Sequence, residues 1–532
     1  MTQADADRLA QQATFGPTEA MVAAIQSQGA ATWLHAQMSL TGAQYTSGGD
    51  SRIDINRKGV LSFCKRPPED KDPDCYTMFE SSVPLMKDFY RNATTLDDQL
   101  HQRVALALQH IFVISDVSIE GTYGMRNYFN MLLGAALGNY RDVMRRVAMS
   151  PVMGRYLDNV NSDRVAPNEN FAREQLQLFA TGPCMLNEDG TLLGGTCTPV
   201  YDNDMVREYA FALTGWQFPP GGLAVVPCLP LGANCKWLQG DMVVLSSFHD
   251  TNPHTLLSGV QVPANSTPPQ ALELVLDSIM AHPNVGPFVA RRMIQNFVSS
   301  NPSPPYVARV AAAFNNGTFS SDGVSFGAGV KGDMQATIAA VLLDDEARSP
   351  DVVRSQGFLR EPILFFTGVL KSLNGKSDGS LMGQGGSMLA EEVFRPPSVF
   401  DFYPPDYPVA GTNLVGPQFG IHNTNGALNR LNFLNYLVME GGTPPNPKHP
   451  NSLGTQIDDT AFLSSANDAG ALVDRLCLLA FGHTLPSVTR ALVVDAVSYW
   501  DETTAPNGAW QHKRVSAAAY LVFGSADYQV QR

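Results

Sequence analysis

Two carboxylates, a guanidinium and two amide side chains lie within the seven residues 168–174, although charged residues make up only 16% of the chain. This segment has the sequence NENFARE, and the residues that follow it favour a helix. At about 100° per residue, Glu169 and Arg173 would share one helix face, as would Asn170 and Glu174. A capped, salt-bridged surface helix would explain the charges without any chemistry. The apolar residues among the charges instead favour partial burial, so Glu169, Arg173 and Glu174 are candidate catalytic residues.

The adjacent residues His249 and Asp250 form a second candidate site, because they follow a predicted strand and precede a turn. Strand ends hold side chains rigidly, which suits catalysis or metal binding. The simpler alternative is that His249 only hydrogen-bonds its own loop. We predict that His249 and Asp250 lie together with Glu169, Arg173 and Glu174 in one catalytic cluster.

A metal ion is an alternative use of these side chains, although the sequence assigns none and leaves the cofactor open. If a divalent metal binds, Glu169, Glu174, His249, Asp250 and His110 offer the mixed nitrogen and oxygen ligands that suit Fe, Mn or Zn. His110 lies within an apolar helical pattern, where a hydrogen-bonded core histidine is the simpler interpretation. The Glu-x-x-His spacing of carboxylate-bridged di-iron sites does not occur around these residues.

Further polar and aromatic residues lie near these segments and are candidates for substrate binding. Each has a simpler explanation on its own, such as a turn, an ion pair or core packing. Several of them in one cleft would form a stacking platform for sugar rings. The candidates are Asp158, Asn168, Arg207, Trp216, Phe402 and Tyr403.

Composition excludes several classes of function. The 532 residues carry a net charge of −14 from 36 basic and 50 acidic side chains, without a basic run, which disfavours nucleic acid and anionic membranes as partners. No apolar run is long enough to insert into a membrane, and the polar start lacks a signal peptide, so the chain is either cytosolic or an exported protein without its signal. Nucleotide-binding glycine motifs are missing as well.

Six of the seven cysteines form three close pairs in Pro-, Gly- or Asp-rich segments, whereas Cys477 lies alone in an apolar helical pattern. Such pairs predict disulfides and therefore a periplasmic or secreted protein. Zinc binding is the alternative, but it lacks CxxC spacing and a neighbouring histidine. The predicted pairs are Cys64 with Cys75, Cys184 with Cys197, and Cys228 with Cys235.

Helical periodicity dominates the elements that must position these residues. The pattern predicts a mainly α protein, a large irregular bundle or toroid that forms one unit over residues 1–532. Residues 182–265 form a Cys/Gly/Pro-rich insertion with a small β part at 217–265, whose best strands are 223–226 and 242–246. One helix is predicted over 350–372. Residues 374–410 are predicted to be a loop, flexible at 374–387, followed by a rigid Pro/aromatic segment over 395–405.

Several motifs, in order along nearly the whole chain, resemble the bacterial family DUF1800, a domain of unknown function. The resemblance implies export, as in many members, but no established reaction. Two lysines of the family are missing, since His254 stands near one position and the segment 396–402 lacks the other, so no role for them is transferred. The matching segments are 8–18, 136–141, 156–159, 168–174, 204–208, 212–216, 248–250 and 520–530.

Three functions are compatible with these observations. The first is an exported hydrolase or lyase in which paired carboxylates cleave a glycan. The second is a metal-dependent, possibly redox, enzyme with Glu, His and Asp ligands. The third is a non-catalytic scaffold or binding protein, with the Pro/aromatic segment contacting a partner protein or polymer. The sequence favours an enzyme and puts glycan cleavage ahead of a metal-dependent reaction. The expected substrate is a glycan or another small or polymeric molecule.

Overall fold

The computed structural model describes residues 1–49, 63–65, 67–119, 121–219, 237–349, 357–447, 452–507 and 509–532. Helices dominate these residues, which confirms the mainly α prediction. The α-helices are α1 (Gln3–Ala13), α2 (Glu19–Gln28), α3 (Ala30–Met38), α4 (Cys75–Glu80), α5 (Val83–Thr95), α6 (Gln99–Gln109), α7 (Thr122–Ala135), α8 (Tyr140–Met149), α9 (Pro151–Tyr156), α10 (Asn170–Gln177), α11 (Asn203–Ala212), α12 (Pro268–Ala281), α13 (Val285–Phe297), α14 (Pro304–Asn316), α15 (Met334–Leu343), α16 (Asp345–Arg348), α17 (Pro362–Ser372), α18 (Met382–Met388), α19 (Thr424–Leu434), α20 (Ala469–Phe481), α21 (Ser487–Ser498), α22 (Ala509–Phe523) and α23 (Ala526–Gln529).

Shorter helical turns connect some of these elements. Helix α19 continues directly into a π-helical turn, Asn435–Met439. The 3₁₀ turns are Phe63–Lys65, Glu69–Lys71, Leu193–Gly195, Leu257–Gly259, Pro417–Gly420, Thr460–Phe462 and Ser465–Asn467.

The strands pair in short antiparallel ribbons of two strands each. The ribbons join β1 (Trp216–Gln217) to β2 (Val243–Val244), β3 (His254–Thr255) to β4 (Gln261–Val262), β5 (Phe319–Ser321) to β6 (Val324–Phe326), β7 (Phe358–Leu359) to β10 (Val530–Gln531), and β8 (Lys376–Ser377) to β9 (Thr455–Gln456). The first two ribbons lie in the predicted β part of the insertion, and β2 falls within the predicted strand 242–246. The predicted strand 223–226 lies outside the described residues.

The core is built by helices whose faces are buried on several sides. Every residue of α17 is buried, and in α6 only His101 is not fully buried. Helices that are buried on all sides belong in the middle of a large protein rather than at its surface. Helix α17 begins with Pro362 at its first turn, where the missing N–H costs no hydrogen bond. His110 follows the last residue of α6, and Glu361 precedes the first residue of α17.

Two local predictions differ from the structure. The single helix expected over 350–372 is wrong, because β7 precedes α17 and pairs with β10 in the register Val530 to Leu359. That pairing joins residues far apart in the chain, so no local pattern reports it. The stretch 374–387, expected to be a flexible loop, contains β8 and most of α18, where Met382 is buried against the core.

Arg360 ties the two ends of the chain to the centre of the protein. Its buried guanidinium donates hydrogen bonds to the carbonyl of Tyr528 and to the side chain of Gln11. Its own carbonyl accepts a hydrogen bond from Arg430 at 2.7 Å. The strand pair β7–β10 and these contacts fix the backbone immediately before Glu361.

Two of the predicted disulfides are present, Cys64–Cys75 and Cys184–Cys197. Cys228 and Cys235 lie outside the described residues, and Cys477 is buried as a free thiol. The two disulfides fit an extracellular or periplasmic location. In the described part of the chain, no helix has both the length and the apolar character needed to cross a bilayer.

Candidate metal centre

Three buried side chains, His110, Glu361 and Glu391, bring one potential metal-ligand atom each within 4.8 Å of one another. We call these three residues the His–Glu centre. His110 is the residue at which α6 ends, and Glu361 is the residue from which α17 begins. Glu391 follows α18 in a turn whose backbone N–H bonds the carbonyl of Gly386. Three elements distant in sequence therefore converge on one buried point.

The carboxylate of Glu391, and not that of Glu361, caps the start of α17. Glu361 stands at the N-cap position, yet its carboxylate makes no capping hydrogen bond. Instead, Oε2 of Glu391 accepts a hydrogen bond from the backbone N–H of Ile363 at 2.9 Å. A carboxylate at this position also gains from the positive end of the helix dipole. The arrangement leaves the Glu361 carboxylate free to face His110.

The Pro/aromatic segment 395–405 adds two more polar side chains to the His–Glu centre. The Tyr403 hydroxyl donates a hydrogen bond to Oε2 of Glu361. Nδ1 of His110 lies 3.9 Å from the same Glu361 oxygen and 3.7 Å from Oδ2 of Asp401. Asp401 is itself buried.

Two atoms of the His–Glu centre have no hydrogen-bond partner. Among the described residues, Nε2 of His110 and Oε1 of Glu391 are both buried and unpaired. An unpaired buried polar atom costs about 1–3 kcal/mol, so native proteins seldom keep one without a reason. Both atoms are of the kinds that bind transition metals.

The carboxylates of this region are crowded. Burial, together with the charge of Glu361, raises the pKa of Glu391 well above its ordinary range. Burial also raises the pKa of Asp401 to about 6, although His110 acts in the opposite direction. Arg103, Arg292 and Arg430 contribute positive charge nearby. Of the described arginines, none forms an ion pair with these carboxylates, so the acidic oxygens remain without a close cation.

The backbone that carries Glu391 and Asp401 is held in an unfavourable conformation. Ala390, Phe394 and Asp401 have φ angles of 61°, 68° and 65°, in the left-handed region that favours glycine. Such positions cost about 1–3 kcal/mol each and tend to gather at functional sites. The fold therefore maintains the positions of these carboxylates against local strain.

A cavity of about 340 Å³ opens beside His110. Its walls come from α13, from the residues after α10 up to the Cys184–Cys197 disulfide, and from the Pro/aromatic segment. This volume lies at the lower end of the range for small-molecule sites. The lining residues are His110, Ile111, Gln177, Leu178, Thr181, Gly182, Pro183, Cys184, Leu186, Phe288, Arg291, Arg292, Gln295, Val399, Phe400, Pro404, Pro405 and Asp406.

The charged residues predicted on α10 divide into a surface pair and a half-buried carboxylate. Arg173 forms an ion pair with Glu169 at 3.0 Å, and their side chains are 36% and 39% exposed, so this pair suits a solvated face. Glu174 is half-buried, and burial raises its pKa although Arg173 opposes the shift. Oε2 of Glu174 has no hydrogen-bond partner among the described residues.

The predicted pair His249 and Asp250 belongs to a set of polar contacts that does not include the charged residues of α10. Nδ1 and Nε2 of His249 face the carbonyl oxygens of Thr214 and Ser266, at 2.8 and 3.1 Å. In this arrangement, neither ring nitrogen directs a lone pair to a metal. Asp250 faces Nε2 of His254 at 3.4 Å, and Nδ1 of His254 lies 2.9 Å from Glu208. The polar contacts of this pair thus go to Thr214, Ser266 and His254 and not to α10.

The remaining predicted substrate-binding residues have mostly structural contacts. Asp158 accepts a hydrogen bond from Asn170 at 3.2 Å, and Asn168 accepts one from the backbone of Asn170 at 2.9 Å. Arg207 lies over the ring of Phe211, at 5.8 Å from its centroid. Trp216 is buried in β1, and Phe402 is half-buried beside Asp401. Of the predicted residues, His110 and Tyr403 are the two that the structure brings to the His–Glu centre.

Tyr156 connects the α10 region to the His–Glu centre electrostatically. Burial raises the pKa of Tyr156 to about 12, with added contributions from the charges of Asp401 and Glu174. The tyrosine thus lies within electrostatic range of both carboxylates. Glu174 and Asp401 thus act on the same tyrosine.

Sequence reasoning missed Glu361, Glu391 and Asp401. The sequence around each of these acidic residues carries a signal for burial. Glu361 precedes the apolar helix α17, Glu391 follows a glycine-rich stretch, and Asp401 lies between two phenylalanines. Acidic side chains in such surroundings are seldom buried without a partner.

Comparison with known proteins gives a family but no characterised relative. No curated protein and no solved structure matches the chain. The family described as "Protein of unknown function (DUF1800)" matches residues 8–530, which is nearly the whole chain. The sequence motifs, the helical fold and this match lead to one conclusion: the chain belongs to the DUF1800 family.

Proposed function

We propose that this protein is a metal-dependent enzyme in which His110, Glu361 and Glu391 bind one transition-metal ion. The observation that carries the proposal is the buried convergence of three potential ligand atoms within 4.8 Å. Mixed imidazole and carboxylate ligands suit Fe, Mn or Zn. Because the three residues come from three separate elements, their meeting is a product of the whole fold and not of a local motif.

The surroundings of the His–Glu centre support a bound cation. A metal would take up the unpaired Nε2 of His110 or Oε1 of Glu391, and would reduce the repulsion among Glu361, Glu391 and Asp401. Tyr403 would hold Glu361 in a fixed orientation, as hydrogen bonds to ligating carboxylates do in other metal sites.

Three protein ligands leave coordination positions for water or substrate, as in catalytic metal sites. A metal in such a site polarises an oxygen of the substrate or activates a bound water. The adjoining cavity gives a substrate access to His110, which lines it. The two disulfides support a periplasmic or secreted location for this activity.

A second candidate function is glycan cleavage with Glu174 as the proton donor. The observation that favours it is a half-buried carboxyl group whose pKa is raised by burial and whose Oε2 lacks a partner. A general acid needs such a raised pKa to hold its proton near neutral pH. The position of Glu169 in a surface ion pair gives it less support as the second carboxylate.

Elemental analysis of the full chain, purified without chelator, tests the metal proposal. We expect about one transition-metal ion per chain in the wild type and a loss of metal in Glu391→Gln and His110→Ala. Glu392→Gln is the matched control, because Glu392 is the neighbouring residue but pairs with Arg395 at 3.3 Å. A folded wild type that neither contains metal nor takes up added Zn²⁺, Mn²⁺ or Fe²⁺ would overturn the proposal.

The glycan proposal has its own test. Screening of polysaccharides with the wild type and Glu174→Gln should show cleavage that the variant loses while it keeps its fold and its metal content. Activity that survives Glu174→Gln unchanged would remove Glu174 from the mechanism.

A further inference from the structure

We infer that the cavity beside His110 binds an oxyanion group of the substrate, a carboxylate or a phosphate, through Arg291 and Arg292. The inference deepens the proposed function and rests on it for the role of the neighbouring metal. It concerns the class of molecule that enters the cavity, which neither the family description nor the ligand set specifies.

Four side chains on one face of α13 line the cavity. Phe288, Arg291, Arg292 and Gln295 all line the cavity, and their spacing of three, one and three residues places them on one side of a helix. Two adjacent guanidinium groups thus stand between an aromatic ring and an amide. This set offers positive charge and hydrogen-bond donors next to an apolar surface.

Neither arginine is neutralised by a carboxylate. Arg292 donates a hydrogen bond to the backbone carbonyl of His110 at 3.2 Å, and Arg291 has no hydrogen bond or ion pair to any described residue. The charge of Asp406, which also lines the cavity, acts on both arginines, and the charge of Asp401, which does not line it, acts on Arg292, yet no ion pair forms within 4.0 Å. Among the lining residues, two guanidinium groups therefore face a single carboxylate.

Desolvation makes these arginines suitable anion ligands. Burial lowers the pKa of Arg291 and of Arg292 because each guanidinium has lost part of its hydration, and neither has a carboxylate within ion-pair distance to compensate for that loss. An arriving oxyanion restores that lost interaction with short, charge-assisted hydrogen bonds. The planar fork of arginine matches carboxylate and phosphate groups especially well.

The position of Arg292 also relates the anion to the His–Glu centre. Since Arg292 is bonded to the backbone of His110, an anion held by the two arginines lies next to the residue that supplies a metal ligand. The remaining walls are largely apolar, including Leu178, Phe288 and Phe400, and fit the carbon frame of the same molecule. The cavity therefore selects a small organic anion or an acidic end unit of a polymer.

Calorimetric titration of the full chain at low ionic strength tests this inference. The probes are D-glucuronate, D-glucose 6-phosphate, inorganic phosphate and, as the neutral comparison, D-glucose. We expect at least one oxyanion probe to bind and D-glucose not to bind. Tighter binding of glucuronate indicates a carboxylate substrate, and tighter binding of glucose 6-phosphate indicates a phosphate ester. The affinity for inorganic phosphate shows what the arginines contribute without a carbon frame.

Arg291→Gln should weaken binding of the oxyanion probe by about tenfold or more, as the loss of a charge-assisted hydrogen bond predicts. Arg291→Lys should weaken it less, because the charge stays but the fork is lost. Arg146→Gln, at an exposed arginine on α8, is the matched control and should bind as the wild type does. If no oxyanion probe binds, or if Arg291→Gln binds as tightly as the wild type, the inference is overturned.

Metal content measured in the same samples separates this inference from the proposed function. Loss of anion binding in an Arg291→Gln protein that keeps its metal supports both. Arg291-dependent binding in a wild type that neither contains nor takes up metal supports the anion site and refutes the metal proposal. Arg291-independent binding in a metal-loaded protein refutes the anion site alone.

Discussion

The Tyr403 phenol donates a hydrogen bond to Oε2 of Glu361, the same oxygen that lies 3.9 Å from Nδ1 of His110. Tyr403 belongs to the Pro/aromatic segment 395–405, whereas Glu361 begins the central helix α17. The hydrogen bond therefore fastens a surface-crossing segment to the most buried part of the fold. Through Asp401, the same segment contributes a carboxylate to that region.

Substitution of Tyr403 by phenylalanine should weaken metal binding without unfolding the protein. The variant removes the hydroxyl that orients Glu361, and the loss of such supporting hydrogen bonds lowers metal affinity by about 10- to 100-fold. Competition with a chromogenic chelator measures the affinity. Tyr407→Phe, at an exposed tyrosine of the neighbouring sequence, is the control. Equal affinities in the two variants would show that Tyr403 does not support the metal site.

Removal of the metal should lower the thermal stability of the wild type. A ligand that binds only the folded state stabilises it by about 4 kcal/mol when its free concentration is a thousand times Kd. Differential scanning calorimetry with and without chelator should show a lower Tm in chelator for the wild type and for Glu392→Gln. Glu391→Gln should show the same Tm in both conditions. A chelator effect of equal size in Glu391→Gln would place the ion elsewhere.

Lys371 predicts a pH dependence of stability that is independent of the His–Glu centre. Lys371 is only 6% exposed, and burial lowers its pKa from 10.5 to about 8, although the charge of Asp97 opposes the shift. Between about pH 8 and 10.5, the unfolded chain then binds more protons than the folded one, so the contribution of Lys371 to stability improves as pH rises. Below pH 8, the folded state bears the full cost of the buried charge, roughly 3 kcal/mol.

Lys371→Met should therefore raise the free energy of unfolding at pH 7 by about 1–3 kcal/mol and flatten its rise between pH 8 and 10. Denaturant titrations at several pH values measure both effects. Lys376→Met, at an exposed lysine of the same region, should change neither. A destabilised Lys371→Met protein with an unchanged pH profile would contradict the expected cost of the charge.

The two disulfides should differ in function but not in stability. Cys184–Cys197 and Cys64–Cys75 span 13 and 11 residues, so each double Cys→Ser variant should lose about 3 kcal/mol by the loop-entropy estimate. Cys184 lines the cavity beside His110. We expect weaker binding of the oxyanion probe in Cys184→Ser/Cys197→Ser only. Equal binding in both double variants would show that the Cys184 loop does not shape the cavity.

Helices with strong local signals could be predicted from the sequence. Helical periodicity over 139–149 predicts a helix, and α8 spans Tyr140–Met149 after Asn139, whose side chain accepts a hydrogen bond from Arg141. The same periodicity predicts a helix over 487–499, where α21 spans Ser487–Ser498. Caps, prolines and apolar periodicity act within a few residues, which is why these signals suffice. The β7–β10 pair had no such signal, since its partners meet only in the folded chain.

The candidate site shows the same division between local and distant interactions. The ion pair of Glu169 and Arg173 is an i, i+4 contact on α10 and follows from spacing alone. The His–Glu centre does not, because His110, Glu361 and Glu391 come from distant parts of the sequence. The sequence marks His110 as a polar residue in an apolar helix, but its partners are identified only in the folded structure, where its side chain approaches Glu361 and Asp401.

The contacts of Arg360 have a consequence for how the protein is made. The residue before Glu361 is held by the carbonyl of Tyr528, and β7 pairs with Val530 and Gln531. A ribosome releases His110, Glu361 and Glu391 long before it releases those partners. The nascent chain thus carries all three proposed ligands while the backbone that positions Glu361 is still unsupported. If a metal ion is supplied during synthesis, it meets an incomplete site, and proteolytic removal of residues 528–531 would loosen the completed one.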